Sequence, residues 1–261
     1  MPGTVDPTVP SIARIYDYWL GGKDNFAVDR QAAEEAIAAN PRIVVDVRAN
    51  RAFLARVVRF LAGKCAVRQF LDIGTGLPTA GNTHLVAQAV AAASRVVYVD
   101  NDPTVLVQAR GLLAELPADS VAYLDADLRD VGEVVRGAAQ TLDLSKPVAA
   151  LMLIVLHLIP DSDEPWGIVA RLMDKLAPGS YLVISHPASD VRPAAMAEMA
   201  KAVNARLSSV RGTLRTRAEV AGFFEGLTVL DPGVVQPHQW RPAGPAGMTE
   251  VTAWCAVARK P

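Results

Sequence analysis

Residues 70–79 read F-L-D-I-G-T-G-L-P-T. A strand-like run carries Asp72 near its end, and Gly74 and Gly76 then flank Thr75 before a helical stretch begins. Glycines at such a bend let the chain turn sharply and let a ligand approach the backbone. The first N–H groups of the following helix stay available to a polar ligand group. Further on, V-V-Y-V-D closes on Asp100 and is followed by Asn101, Asp102 and Pro103. A carboxylate at the end of a second strand can accept hydrogen bonds from both hydroxyls of a ribose. Asp102 before Pro103 suits a helix cap, which leaves Asp100 for the ligand. The run Y-L-D-A-D-L-R-D brings Asp125, Asp127 and Leu128 to the end of a third strand. Either Asp125 or Asp127 is placed there to accept an adenine amino group.

An adenosine is common to nicotinamide dinucleotides and S-adenosyl-L-methionine, and two positions separate them. The dinucleotide fingerprint has a third glycine three residues after the second, where this chain has Thr79. Asp72, two residues before Gly74, repels a pyrophosphate and suits the ammonium of a methionine moiety, directly or through water. No Gly-Lys-Ser/Thr follows the strand, which excludes a P-loop. The residues therefore favour S-adenosyl-L-methionine, with S-adenosyl-L-homocysteine as product, over NAD.

Methyl transfer from a sulfonium asks the protein chiefly to position an acceptor and exclude water. A base is needed only if the acceptor must lose a proton early. His157, in V-L-H-L-I-P-D, is the first candidate base, and His186, in I-S-H-P, the second. The fourth strand lacks the Asn/Asp-Pro-Pro-Tyr/Phe motif used for amino groups of bases or glutamine. That points to a small-molecule acceptor, with Trp166, Phe223, Phe224 and Trp240 as pocket walls or core. Near the amino terminus, Arg14, Tyr16, Asp17, Gly21, Gly22, Lys23, Asp24, Asn25, Asp29 and Arg30 form a polar cluster around a glycine pair. This segment reads as a lid over the site. Tyr16 and Gly22 are expected at the cofactor, and Lys23 or Arg14 at its carboxylate.

The elements that must position these residues follow from the pattern. Helices are expected at 11–20, 27–39 and 41–62, the last starting from Asn40-Pro41. From residue 67, strand-like and helical runs alternate: strands at 67–73, 95–99, 121–124, 148–156 and 181–185, with helices between. Helices at 191–209 and 216–224 and strands at 227–230 and 251–258 follow, the last two joined by an open Pro- and Gly-rich loop over 232–247. This alternation defines an α/β chain with a mostly parallel sheet and helices on both faces. A helical cap is expected over 1–65 and the ligand-binding domain over 66–261.

The chain has 261 residues and a net charge of −1, so no broad positive field gathers nucleic acid or anionic lipid. Cys65 and Cys255 have neither metal-ligand nor disulfide-framework spacing, which fits a reducing cytoplasm and no bound metal. No secretory leader is read at the amino terminus, and the apolar run 148–159 is too short for a membrane span. The composition allows a homodimer.

The segments D-I-G-T-G-L-P-T (72–79), Y-V-D-N-D-P (98–103) and D-A-D-L-R-D (125–130) resemble the cofactor motifs of class I methyltransferases. Pro78 departs from the common glycine-loop pattern. Together with A-R-I-Y-D-Y-W-L-G-G-K-D-N-F-A-V-D-R (13–30), they resemble a bacterial family of S-adenosylmethionine methyltransferases formerly catalogued as a domain of unknown function. That resemblance implies a Rossmann-like seven-stranded sheet with an antiparallel C-terminal strand, and S-adenosyl-L-methionine as cofactor. It implies no particular acceptor. A non-catalytic S-adenosylmethionine-binding sensor or partner module is the alternative, and an NAD-dependent oxidoreductase a more distant one.

Overall fold

The computed structural model describes residues 5–78, 81–113, 120–207, 211–242, 244 and 250–261. Thr79, and residues 243 and 245–247 of the loop over 232–247, lie outside the described residues. One sheet is built from β1 (Gln69–Ile73), β2 (Arg95–Asp100), β3 (Val121–Asp125), β4 (Ala149–Leu153), β5 (Tyr181–Pro187), β6 (Thr228–Val229) and β7 (Ala253–Arg259). Its order is β3-β2-β1-β4-β5-β7-β6. The first five strands are parallel, and β7 runs antiparallel to both β5 and β6. The order reverses between β1 and β4, which opens a crevice beyond their carboxyl ends.

Every residue of β1 and β4 is buried, as expected of central parallel strands covered on both faces. Alternation along each strand divides the core. Leu71, Val97 and Met152 face helices α6 (Val131–Ala138), α7 (Pro165–Asp174) and α9 (Arg217–Gly222). Phe70, Val96 and Leu151 face α3 (Ile43–Gly63) and α4 (Thr83–Val90). The third cluster contains no strand residue. It joins Ile15 and Trp19 of α1 (Ile12–Leu20), Ala33 and Ala36 of α2 (Ala27–Ala39), Val47 of α3, and Met196, Met199 and Val203 of α8 (Pro193–Arg206). Helix α5 (Pro103–Leu113) follows β2. The expected division at residue 65 thus falls behind a helix, α3, that is shared by the cap cluster and the sheet core.

Two boundaries and one loop differ from the sequence reading. Asn40 closes α2 through its N–H to the Ala36 carbonyl, and its Oδ1 accepts from the N–H of Arg42, so α3 begins at Ile43. The apolar run after Val148 does not stay extended. β4 stops at Leu153, Ile154 takes φ 53°, and a 3-10 turn spans Leu156–Leu158. A left-handed β-branched residue is rare and strained, and it lies beside a cavity. The Pro- and Gly-rich loop is anchored by Trp240, which is fully buried with edge-to-face contacts to Phe53 at 5.5 Å and Phe60 at 5.7 Å.

β1 turns at Gly74 with φ 69°, and its N–H donates to the Val99 carbonyl at 2.8 Å. A Cβ there would lie 2.2 Å from Val155 Cγ2. Gly74→Ala is therefore expected to destabilise by about 1–3 kcal/mol through overpacking. Val155→Ala in the same chain is expected to recover part of that loss, read from urea unfolding midpoints.

Candidate functional site

A cavity of about 710 Å³ opens beyond the carboxyl ends of β1, β2 and β4. It falls within the size range of small-molecule sites. Asp72, Gly74, Thr75, Gly76, Asp100, Asn101, Asp127 and Leu128 line its sheet side, and Tyr16 and His157 line it elsewhere. Gly22, Lys23, Asp125 and His186 are not among its walls.

On the sheet side, backbone geometry aims the acids. The N–H of Gly76 donates to Asp100 Oδ2 at 2.9 Å, and the N–H of Asp102 donates to Asp100 Oδ1 at 2.9 Å. The Asn101 N–H also hydrogen-bonds this carboxylate, which leaves one of its roughly four acceptor positions for a ligand. Asp102 caps α5 by accepting from the N–H of Thr104 at 2.8 Å, as its place before Pro103 suggested. Asp72 is buried and accepts from the Thr83 hydroxyl at 2.6 Å. Burial pushes its pKa up to about 6, with Asp100 adding to the rise and the Thr83 hydrogen bond and Arg51 opposing it. Burial likewise raises the pKa of Asp100. Two desolvated acids side by side make a site for a cation and a poor one for a diphosphate.

Register places Asp125 opposite Asp100 across β2 and β3, with its side chain exposed outside the cavity. Asp127 does line the cavity, but its oxygens are taken. Oδ1 accepts from the N–H and Nε of Arg129 at 2.8 and 2.9 Å, and Oδ2 from Arg129 Nη2 at 2.6 Å and Asn101 Nδ2 at 3.1 Å. A carboxylate has about four acceptor positions. An adenine amino group reaches this one only by displacing a donor, and Asn101 makes the longest contact.

The amino-terminal polar cluster proves to be mostly tied to itself. Asp29, fully buried, accepts from Arg14 Nε at 2.7 Å and from the N–H groups of Ser11 and Phe26. Arg14 also donates to Thr104 Oγ1 at 2.9 Å, which pins α1 against α5. These bonds commit Arg14 to structure and not to a ligand carboxylate. Gly22 is needed because a Cβ there would sit 1.9 Å from Asp17 Oδ1. Asp17 Oδ2 in turn accepts from the N–H of Asp24 and from Asn25 Nδ2. Lys23 points from an exposed position. The cation that the sequence reading missed is Arg51, on α3, which lines the cavity and acts electrostatically on Asp72. Its signal was present: Ile43, Asp46, Val47, Asn50, Arg51 and Leu54 all line the cavity, polar groups set into an otherwise apolar helical face. Tyr16 lines the cavity. Its hydroxyl accepts from Asn50 Nδ2 at 3.0 Å, and Asn50 Oδ1 accepts from Ser185 Oγ at 2.7 Å.

The two histidines differ. His186 is buried outside the cavity, with Nδ1 donating to the Pro187 carbonyl at 2.9 Å and Nε2 accepting from Arg215 Nη1 at 2.8 Å. That pattern fixes the neutral tautomer and gives His186 a structural part, not a catalytic one. Burial, with His157 and Arg215 nearby, lowers its pKa to about 3. Arg215 was also missed by the sequence reading. Itself buried, it donates to the carbonyls of Leu156 and Ile159 and to Asp161, fastening the turn that carries His157. His157 faces the cavity from that turn, and burial together with Arg215 lowers its pKa to about 4. It can orient a donor but is a weak base. Trp166, Phe223, Phe224 and Trp240 do not line the cavity. Phe223, Phe224 and Trp240 are core, and Trp166 stacks on Phe223 at 5.3 Å. Among the described residues, no helix is long and apolar enough to cross a membrane.

A seven-stranded sheet ending in an antiparallel strand, with an acid-flanked glycine turn at its switch point, defines a Rossmann-like fold of the methyltransferase type. The profile of a family described as S-adenosyl methyltransferase matches residues 1–261, and the chain belongs to that family. Its cofactor is S-adenosyl-L-methionine. The structure is similar to a DUF574 family protein from Streptomyces avermitilis MA-4680, at 42% identity and TM-score 0.94, covering 99% of this chain and 100% of that one. It is also similar to a protein from Thermobifida fusca YX described as a candidate methyltransferase, at 38% identity and TM-score 0.90, covering 97% and 96%. The fold is shared by N-methyltransferase NodS from Bradyrhizobium japonicum WM9, solved with S-adenosyl-L-homocysteine, at 15% identity and TM-score 0.51, covering 89% and 97%. No curated protein sequence matches the chain. The site suits the cofactor: Asp100 offers an acceptor for a ribose, Asp72 a carboxylate for an ammonium, and Gly76 leaves open space where a Cβ would stand.

Titration of the His157 ring followed by NMR is expected to give a midpoint near pH 4. A midpoint above 6 would mean that burial and Arg215 do not hold the ring neutral. Methyl-transfer rates between pH 6 and 8 are accordingly expected to show no inflection from His157.

Proposed function

We propose that this methyltransferase acts on a small-molecule acceptor bound in the half of the cavity away from the sheet. The observation that carries the reading is the two-part cavity. Its sheet side holds Asp72, Asp100 and the glycine turn, while its far side is walled by Trp19, Val47, Met196, Met199 and Val203. S-adenosyl-L-methionine supplies an electrophilic methyl group on a sulfonium. In this reading Asp100 accepts from a ribose hydroxyl, Asp72 faces the ammonium and Arg51 the carboxylate. The backbone from Gly74 to Gly76 lets the ligand lie close to the turn. Ala126 and Leu128 give the adenine an apolar surface, with Asp127 reached at the expense of Asn101. The α1 and α3 helices wall the cavity opposite the sheet and limit the access of water, while its open mouth leaves a route for a proton to solvent. His157, neutral and held by the Arg215-fastened turn, orients the acceptor. The acceptor's proton leaves to solvent, because an imidazole of such low basicity does not retain it.

The test is turnover of S-adenosyl-L-methionine to S-adenosyl-L-homocysteine with an extract of small metabolites, followed by mass identification of the methylated product. Cofactor binding without turnover on any extract would favour the sensor reading. Asp100→Ala is expected to weaken S-adenosyl-L-homocysteine binding by about 1–3 kcal/mol by calorimetry. The pH dependence has a definite sign. Asp72 is half protonated near pH 6, and only the ionised form attracts the ligand ammonium. Affinity is expected to rise with pH through about 6 and level off above it, and Asp72→Asn is expected to flatten that rise.

A further inference from the structure

The far half of the cavity carries information about its occupant. Helices α1, α3 and α8 supply Trp19, Val47, Met196 and Val203 to its walls. The polar side chains that also line it are already engaged. The Tyr16 hydroxyl accepts from Asn50 and donates to the Val47 carbonyl at 3.4 Å. Asp46 accepts from both the N–H and the hydroxyl of Thr252. Asp17 holds the Asp24 N–H and Asn25. Asn204 clamps Gly212 from both ends of its amide, accepting from the Gly212 N–H at 2.7 Å and donating to its carbonyl at 3.2 Å. His157 is the exception. It lines the same end of the cavity, and its buried Nδ1 has no hydrogen-bond partner among the described residues.

We propose that the acceptor is an uncharged, largely apolar molecule that presents a single hydroxyl or N–H to His157 at the α8 end of the cavity. The inference deepens the methyltransferase reading and rests on it for the reaction, though not for the binding. An unpaired polar ring in an apolar chamber selects a ligand that completes it and rejects an analogue lacking the donor. Charge is selected against on both sides. The Arg215 guanidinium lies close enough to act on the His157 ring, which disfavours a cationic acceptor there. An anion would be desolvated against Met196, Met199 and Val203, where the carboxylates Asp17 and Asp46 add like charge. Met196 and Met199 are unbranched and adaptable, so polarity and the one donor define the class more tightly than outline does.

The test is calorimetric titration of the full chain with four probes of one shape: 2-naphthol, 2-methoxynaphthalene, 2-naphthoate and 2-naphthylmethylammonium. Each is run with and without S-adenosyl-L-homocysteine. The naphthol is expected to bind about ten-fold more tightly than each of the other three, the worth of one buried hydrogen bond. That preference over the methoxy compound is expected to vanish in His157→Phe and to persist in part in His157→Gln, with thermal melts checking that both variants fold. Equal binding of a charged probe, no binding of any probe, or an unchanged preference in a folded His157→Phe would each overturn the proposal. The methyltransferase reading fails separately: it falls if S-adenosyl-L-homocysteine itself does not bind, an outcome that leaves the naphthol comparison readable.

Discussion

The structure turns on a close approach at the carboxyl edge of the sheet, where the bend after β1 meets the bend after β4. Gly74 and Val155 come so near that no side chain fits between them. The two central strands carry the glycine turn and the turn that bears His157, both of which line the cavity. Parallel pairing of β1 with β4 brings those loops side by side. The contact then fixes their relative height. Arg215 completes the arrangement from beneath, holding two carbonyls of the second loop and the ring of His186. A buried guanidinium is costly to desolvate, and it is kept here with nearly every donor used. His157 owes its position to these two constraints.

The amino-terminal helices solve a different problem. An open sheet edge leaves a bound ligand exposed to water. α1, α2 and the front of α3 cover that edge by packing on α8, the helix that follows β5. Apolar packing alone would leave their orientation loose. The buried Arg14–Asp29 pair, with its bonds to Ser11, Phe26 and Thr104, sets the direction. The cover is therefore built into the fold, and its inner face supplies the apolar half of the cavity.

Electrostatics divide that cavity. The sheet side concentrates carboxylates in a desolvated setting, and Arg51 moderates the charge from α3. On the far side, His157 is held uncharged by burial and by Arg215, and the Asp17 and Asp46 carboxylates are tied to protein donors. One end favours a zwitterionic, cationic ligand and the other an apolar one. This is the polarity expected of a site that joins two unlike molecules.

The sequence by itself determined the alternation of strands and helices and the glycine turn, because these depend on local periodicity and on turn chemistry between neighbours in the chain, while the antiparallel close of the sheet came only from the family resemblance. The Asp72–Gly76 run and the capping role of Asp102 were legible for the same reason. Only the tertiary structure decided which of many polar side chains face the ligand. Gly22, Lys23 and Arg14 looked suited to a ligand but belong to a self-contained knot or to the surface, and Asp125 and His186 lie outside the cavity. Arg51 and Arg215 went unread because their partners lie far away in the chain, at Asp72, Leu156 and Asp161. A side chain's type and spacing say what it can do. Whether its hydrogen bonds are already spent on distant partners is settled only when the chain has folded.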